Sequence, residues 1–468
     1  NSITSGGNYN VVVGDEAGTA LTTGDDNVAI GFEALSTEDA HGDNVAIGHQ
    51  ALKTLNVGTE GENVAIGKGA GTSMTTGVQS VLIGKRSGDA LTDADRNTAV
   101  GYATLSGDTL GSKSTAVGYA ALFTQNFTTA TDTYNVAVGY EAGGAITTGD
   151  SNTLIGGLAG DALTTGTDNV AIGKDALTSD TLGSKTVAIG KNTLEAQNFT
   201  TATDANNVAI GDSAGQALTT GVNNTLIGAL AGDAITDADY NVAVGSGALT
   251  ADTLGSRSTA LGFNTLASQN FTTATTSYNT AVGFGAGGNI TTGDSNTLIG
   301  SLAGDALSTG NSNVAMGLNA LGSDTKGDRN VALGMAALTA QNFTTQTDAY
   351  NVAVGYTAGA AVTTGTNNTL IGGLAGDALT TGGRHTLMGY ASGSSLIDPD
   401  RNVAFGYGSL QTDTKGTKST AVGYSALNTQ NFTSATDANN TAVGYTAGES
   451  ITTGTGNALM GGLAGDAL

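Results

Sequence analysis

Asn27-Val28-Ala29-Ile30-Gly31 is followed by Asn44-Val45-Ala46-Ile47-Gly48, and that in turn by Asn63-Val64-Ala65-Ile66-Gly67. The same five-residue pattern, usually Asn, then Val or Thr, then Ala or Leu, then an apolar residue, then Gly, recurs 26 times between Gly14 and Gly461. Nineteen of the 25 steps between successive repeat glycines equal 17, as from Gly31 to Gly48. Five equal 21, as from Gly118 to Gly139, and the one from Gly48 to Gly67 equals 19. A repeat of this length is one supersecondary unit that cannot bury its own apolar face, so neighbours must stack into a solenoid. The array occupies the whole chain of 468 residues and predicts one continuous solenoid over 1–468. A second order lies on top of it. Gly139, Gly211, Gly283 and Gly355 are each 72 residues apart, and this superrepeat runs from about residue 68 onward, with one additional turn around Gly389 in the last block.

The pattern reads as a strand and a turn. The positions one and three before the glycine share one face at period 2 and are mostly β-branched, which suits a pleated surface. The residue between them is Ala or Leu in every unit but the first, where it is Val12, so the other face is apolar too. The glycine, as at Gly139, Gly211, Gly283 and Gly355, admits a bend that a Cβ would block. The Asn four positions before it, including Asn27, Asn44, Asn135, Asn207, Asn279 and Asn351, predicts a ladder of side-chain hydrogen bonds between stacked turns. With one strand face filling the coil interior, the small-residue face at Ala29, Ala46 and Ala65 is expected to be covered by another chain.

Composition agrees with a thin core. There are 73 glycines but one proline, which excludes collagen, and 39 % of the residues are hydrophobic, which fits poorly with disorder. No cysteine is present, so there is no disulfide framework and no thiolate metal site. The formal charge of −24 opposes nucleic-acid binding, and no apolar run is long enough for a transmembrane helix. Asn1-Ser2-Ile3-Thr4 lacks the basic and apolar segments of a signal peptide, and the chain reads as a fragment of a longer fibre.

Asn27-Val28-Ala29-Ile30-Gly31-Phe32-Glu33-Ala34-Leu35 and Ser114-Thr115-Ala116-Val117-Gly118-Tyr119-Ala120-Ala121-Leu122 resemble the head repeats of trimeric autotransporter adhesins, the YadA-like heads. Units with Gly139-Tyr140 and a downstream Thr147-Thr148-Gly149 look still more like fibres of tailed phages. The resemblance implies an all-β, left-handed parallel β-roll, a homotrimer about one axis and an attachment function. At ~4.8 Å per coil, 26 coils would make a rod of roughly 125 Å. The expected role is a structural fibre or shaft that mediates host attachment, extracellular, as a virion tail-fibre segment. The alternative parent is a bacterial cell-surface adhesin, and a remoter one is an ice-binding solenoid. The partners expected are further copies, other fibre or virion proteins, and a host surface glycan or protein, with no nucleic acid, no membrane insertion and no cofactor.

No constellation predicts an enzyme, because every candidate residue is a repeated turn residue. The five long turns carry the receptor-contact candidates: Asn126 and Phe127, Asn198 and Phe199, Asn270 and Phe271, Asn342 and Phe343, and Asn431 and Phe432. Insertions in solenoids lie on one face, often the binding face, and a ring beside an amide suits a sugar. The reading preferred over receptor contact is that each Phe tucks under its own loop or between chains and anchors the extra residues. Asn-Phe-Thr is also a glycosylation sequon. Asp161, Asp233, Asp305 and Asp377, with Asp89 and Asp466, recur in Gly-Asp-Ala-Leu (Gly-Asp-Ala-Ile at Asp233) and read as turn caps or weak cation ligands. His41, His49 and His385 read as surface or ladder substitutions, and Gly107–Ser114 as a solenoid turn rather than a phosphate loop.

Overall fold

The computed structural model describes residues 7–467, so the Asn1–Thr4 segment lies outside the described residues. The chain divides into two compact units, Asn1–Asp237 and Ala238–Leu468. Each is a stack of coils whose three-residue strands run from Val11–Val13 to Thr225–Ile227 in the first unit and from Val242–Val244 to Ala458–Met460 in the second. Among the described residues there is no helix. Each unit is a parallel β-solenoid with mostly 17-residue spacing, and the chain carries about 26 coils in all.

Successive strands pair in parallel and in the register of the repeat. Val28 lies beside Val45, Ala29 beside Ala46 and Ile30 beside Ile47, and in the second unit Thr280 lies beside Thr297. The longer coils add a short second pairing, as between Gly183–Ser184 and Thr203–Asp204.

The faces are the reverse of the sequence expectation. Ala29, Ala46 and Ala65 are fully buried inside their own coil, whereas the Val and Ile on either side of them are mostly half-buried. The small face therefore needs no second chain. After the glycine the backbone turns back at once, so that Ala34 and Leu35 are buried opposite Ala29. An interior this shallow accommodates Ala or Leu, and the β-branched rows are left on the outside.

Leucines and glycines alternate to fill that interior. Coils with Ala in the strand often carry Leu at the next corner, as with Ala116 and Leu122, where Leu122 adopts φ +51°. Coils with Leu in the strand carry Gly at that corner, as with Leu154 and Gly160. Gly143 lies between the two kinds. A Cβ there would meet Leu154 Cδ1 at 2.7 Å and Leu122 Cδ2 at 3.0 Å, so both leucines occupy the volume its side chain would need.

The asparagines form buried ladders. The backbone N–H of Asn152 donates to Asn135 Oδ1 at 2.9 Å, and that of Asn169 donates to Asn152 Oδ1 at 3.0 Å. Many of the Nδ2 groups donate to a carbonyl of the next coil, as Asn152 does to Gly166 at 2.9 Å. Asn296 and Asn313 repeat the first pattern in the second unit at 2.9 and 3.0 Å. Both kinds of bond satisfy backbone groups that would be costly to bury unpaired.

His385 takes the same place with an imidazole. Its Nδ1 accepts from the Asn402 N–H at 3.2 Å and its Nε2 lies 2.7 Å from the Pro399 carbonyl, which assigns the neutral ring with hydrogen on Nε2. Burial pushes its pKa below the usual histidine value, against weaker opposing effects of Pro399 and Asp400. The unfolded chain therefore takes up this proton first, and the stability held above about pH 6.5 is lost as pH falls toward the folded pKa. His385→Asn restores the common ladder residue. It should remove that loss in urea unfolding between pH 7.5 and 5. Equal pH slopes for the two proteins would refute the assignment.

Candidate functional site

The long turns are built on a buried carboxylate. Asp108 follows Gly101 in one coil, and Gln125 occupies the equivalent place in the next. Asp108 Oδ1 accepts the backbone N–H groups of Gly111 at 3.1 Å and Phe127 at 3.2 Å, and its Oδ2 accepts Gln125 Nε2 at 2.5 Å. Gln125 Oε1 in turn accepts Asn135 Nδ2 at 2.9 Å, which ties the turn to the asparagine ladder. Asp108, Gln125 and Asn135 are all fully buried. The arrangement recurs at Asp180, Asp252, Asp324 and Asp413. Glu38 takes the equivalent place before the intermediate step from Gly48 to Gly67, where its carboxylate accepts the N–H groups of Asp39, His41 and Val57. A buried carboxylate surrounded by N–H donors is stabilised by charge-assisted hydrogen bonds.

This frame decides where the ten receptor-contact candidates lie. Phe127, Phe199, Phe271, Phe343 and Phe432 are only 5–6 % exposed, so their rings are interior and unavailable as contact surfaces. Phe199 packs over the neighbouring coil, where a Cβ on Gly183 would come 2.9 Å from its ring. The ring is the one large apolar group in the turn, and burying it anchors the extra residues. Asn126, Asn198, Asn270, Asn342 and Asn431 are exposed, and Asn126 Oδ1 accepts Thr109 Oγ1 at 3.0 Å. The ring and the amide that were expected to act together thus lie on opposite sides of the surface.

Ion pairs cross the outside of the same turns. Lys185 meets Asp204 at 2.5 Å and Lys418 meets Asp437 at 2.5 Å, while Lys113 pairs with Asp132 and Arg329 with Asp348. Hydrogen bonds from Lys113 and Lys418 hold the Asp132 and Asp437 carboxyls below the usual range. In the copy at Arg257, Thr276 replaces the aspartate and accepts Arg257 Nη1 at 3.3 Å.

The aspartates of Gly-Asp-Ala-Leu lie apart from this network. Asp161, Asp305 and Asp377 are half-buried, and burial pushes their carboxyls upward. Thr178 Oγ1 donates to Asp161 at 2.5 Å. Asp233 occupies the same repeat position. Among the described residues no three His, Asp or Glu side chains come together as a metal centre. His41 lies 3.8 Å from Glu38, and the His49 ring tilts against Phe32 at 5.2 Å.

Sequence reasoning missed an aromatic row. Tyr102, Tyr119 and Tyr140 stack at 5.3 Å between ring centres, and so do Tyr390, Tyr407, Tyr424 and Tyr445 at 5.3–5.4 Å. All seven are exposed. Each directly follows the repeat glycine, two positions beyond the outward aliphatic residue, so extending the period-2 pattern past the glycine would have found them.

No helix among the described residues is long and apolar enough to cross a membrane. No protein-family model matches the chain, and no curated protein matches it significantly.

Proposed function

We propose that the chain is the structural segment of a homotrimeric attachment fibre, extracellular and of the tail-fibre kind, which joins other fibre or virion proteins to a host surface glycan or protein. The reading rests on the outward rows of the coils. In each unit the residues one and three before the glycine are mostly aliphatic and left half-exposed, coil after coil, as at Val136 and Val138 or Thr297 and Ile299. An apolar surface this extensive marks an interaction site. A partner that matches it along its length must share the repeat spacing, and a further copy of the chain does. The resemblance to trimeric head repeats supports three copies and the left-handed sense of the roll.

Light scattering in native buffer tests the assembly. The expected mass is three times 45.8 kDa, and a species of 45.8 kDa would refute it. Lysine at both Ile155 and Ile172 should lower the mass to that of one chain while leaving circular dichroism unchanged.

A further inference from the structure

Beside the first tyrosine stack lies a groove of about 490 Å³, within the range of small-ligand sites. Tyr119 and Phe123 form its apolar wall, Gly144 part of its floor, and Arg86, Glu141 and Asp161 supply polar groups. Phe123 is 40 % exposed and, unlike the tyrosines, is not stacked on another ring. A second groove of about 240 Å³ occupies the same repeat positions in the other unit, two superrepeats on. There Phe284 and Leu302 are the apolar groups, Gly288 replaces Gly144, and Asn264, Asn289 and Asp305 are the polar ones. At the intervening positions Gln216 Nε2 bonds Glu195 Oε2 at 2.6 Å and ties together side chains equivalent to two of the groove residues.

We infer that the two grooves are saccharide subsites, each taking a neutral hexose residue of a glycan. Both combine an exposed aromatic ring, a glycine floor and planar polar side chains, including one half-buried aspartate. A ring receives the C–H face of a sugar, while carboxylates and amides pair with its hydroxyls. Both linings sum to one formal negative charge, from Glu141 and Asp161 with Arg86 in the first groove and from Asp305 beside two amides in the second. A cation drawn to that charge would meet the guanidinium of Arg86 in the first groove and no cation in the second, whereas a polyol that donates and accepts is served by both sets of groups. The net charge of −24 further disfavours anionic glycans. Two subsites in one chain would also raise the avidity for a glycan-coated surface.

The inference rests on the attachment reading for the source of the glycan, and it can fail separately. Saturation-transfer NMR on the full chain would use linear hexasaccharides of glucose, galactose, mannose or N-acetylglucosamine at about 10 mM, with spermine as a cationic probe. At least one sugar should bind. The variant Phe123→Ala, Asp161→Asn, Phe284→Ala, Asp305→Asn should bind it at least about tenfold more weakly with an unchanged melting temperature. Asp161→Asn with Asp305→Asn alone should weaken binding in the same direction, should the aromatic changes disturb folding. Binding of spermine alone, no binding of any sugar, or equal affinity in the variants would overturn the inference. The mass of the same sample is read independently: a trimer that binds no sugar refutes the subsites, and a sugar-binding monomer refutes the assembly.

Discussion

Gly173→Ala is expected to destabilise the first unit by more than about 4 kcal/mol, a loss that few single substitutions reach. Gly173 ends the strand Val170–Ile172 with φ +140°, a backbone region that residues with a Cβ rarely adopt. The added Cβ would also lie 2.2 Å from the Gly190 carbonyl oxygen and 2.6 Å from its carbon. Both are backbone atoms held by strand pairing to the next coil, so neither can rotate out of the way. Relief requires the coils to separate, which breaks the parallel pairing and the Asn169 ladder bond to Thr186 together. Gly157→Ala is the control, because a Cβ there has nothing within 4 Å, and its effect should stay within about 0.5 kcal/mol. Urea unfolding measures both, and hydrogen exchange should show the loss concentrated near residues 170–190. Equal stabilities for the two variants would mean that the glycine row is not what sets the coil spacing.

Asp180→Ala should cost about 3 kcal/mol or more, because its carboxylate accepts three donors and each one left unpaired in a buried site costs about 1–3 kcal/mol. The donors are Gly183 N at 3.0 Å, Phe199 N at 3.2 Å and Gln197 Nε2 at 2.7 Å. The long turn around Phe199 should come loose first, because two of the three donors belong to it. Limited proteolysis between residues 198 and 205 therefore ought to accelerate before global unfolding does. Asp180→Asn keeps the shape and one carbonyl oxygen, so it should fall between the wild type and Asp180→Ala. A loss below about 1 kcal/mol for the alanine variant would show that water or a rearranged Gln197 replaces the carboxylate.

The strands and the register were legible because two periods coincide on the same residues. Period 2 within Val28-Ala29-Ile30 marks a strand, and the recurrence of that triplet marks its partner. Which face lay inside was not legible. Alanine's small volume suits close approach by another chain as well as a shallow coil interior, and what separates the two is the turn at Leu35, whose positive φ no periodicity announces. Whether the phenylalanines of the long turns tuck under their loops or face a receptor was not decided by the sequence for a related reason. Their burial depends on Asp108 and its equivalents, and an aspartate outside the strand motif reads as exposed because few are buried. Gln125, one coil beyond Asp108 at the same repeat position, was the available clue. The Leu and Gly exchange at Leu154 and Gly143 was also present in the letters, but its meaning depends on which coils touch.

That exchange bears on how such a chain can change in length. Gly143 is matched to a leucine in the coil before it and another in the coil after it. Removing a single coil would bring the two leucines into adjacent layers without the space they share. Removing or duplicating a whole superrepeat restores the same sequence of neighbours at the join. Recombination between superrepeats is thus a structurally silent edit, and a single turn can be added only where its strand leucine again meets a corner glycine, as Leu387 meets Gly376 in the additional turn around Gly389.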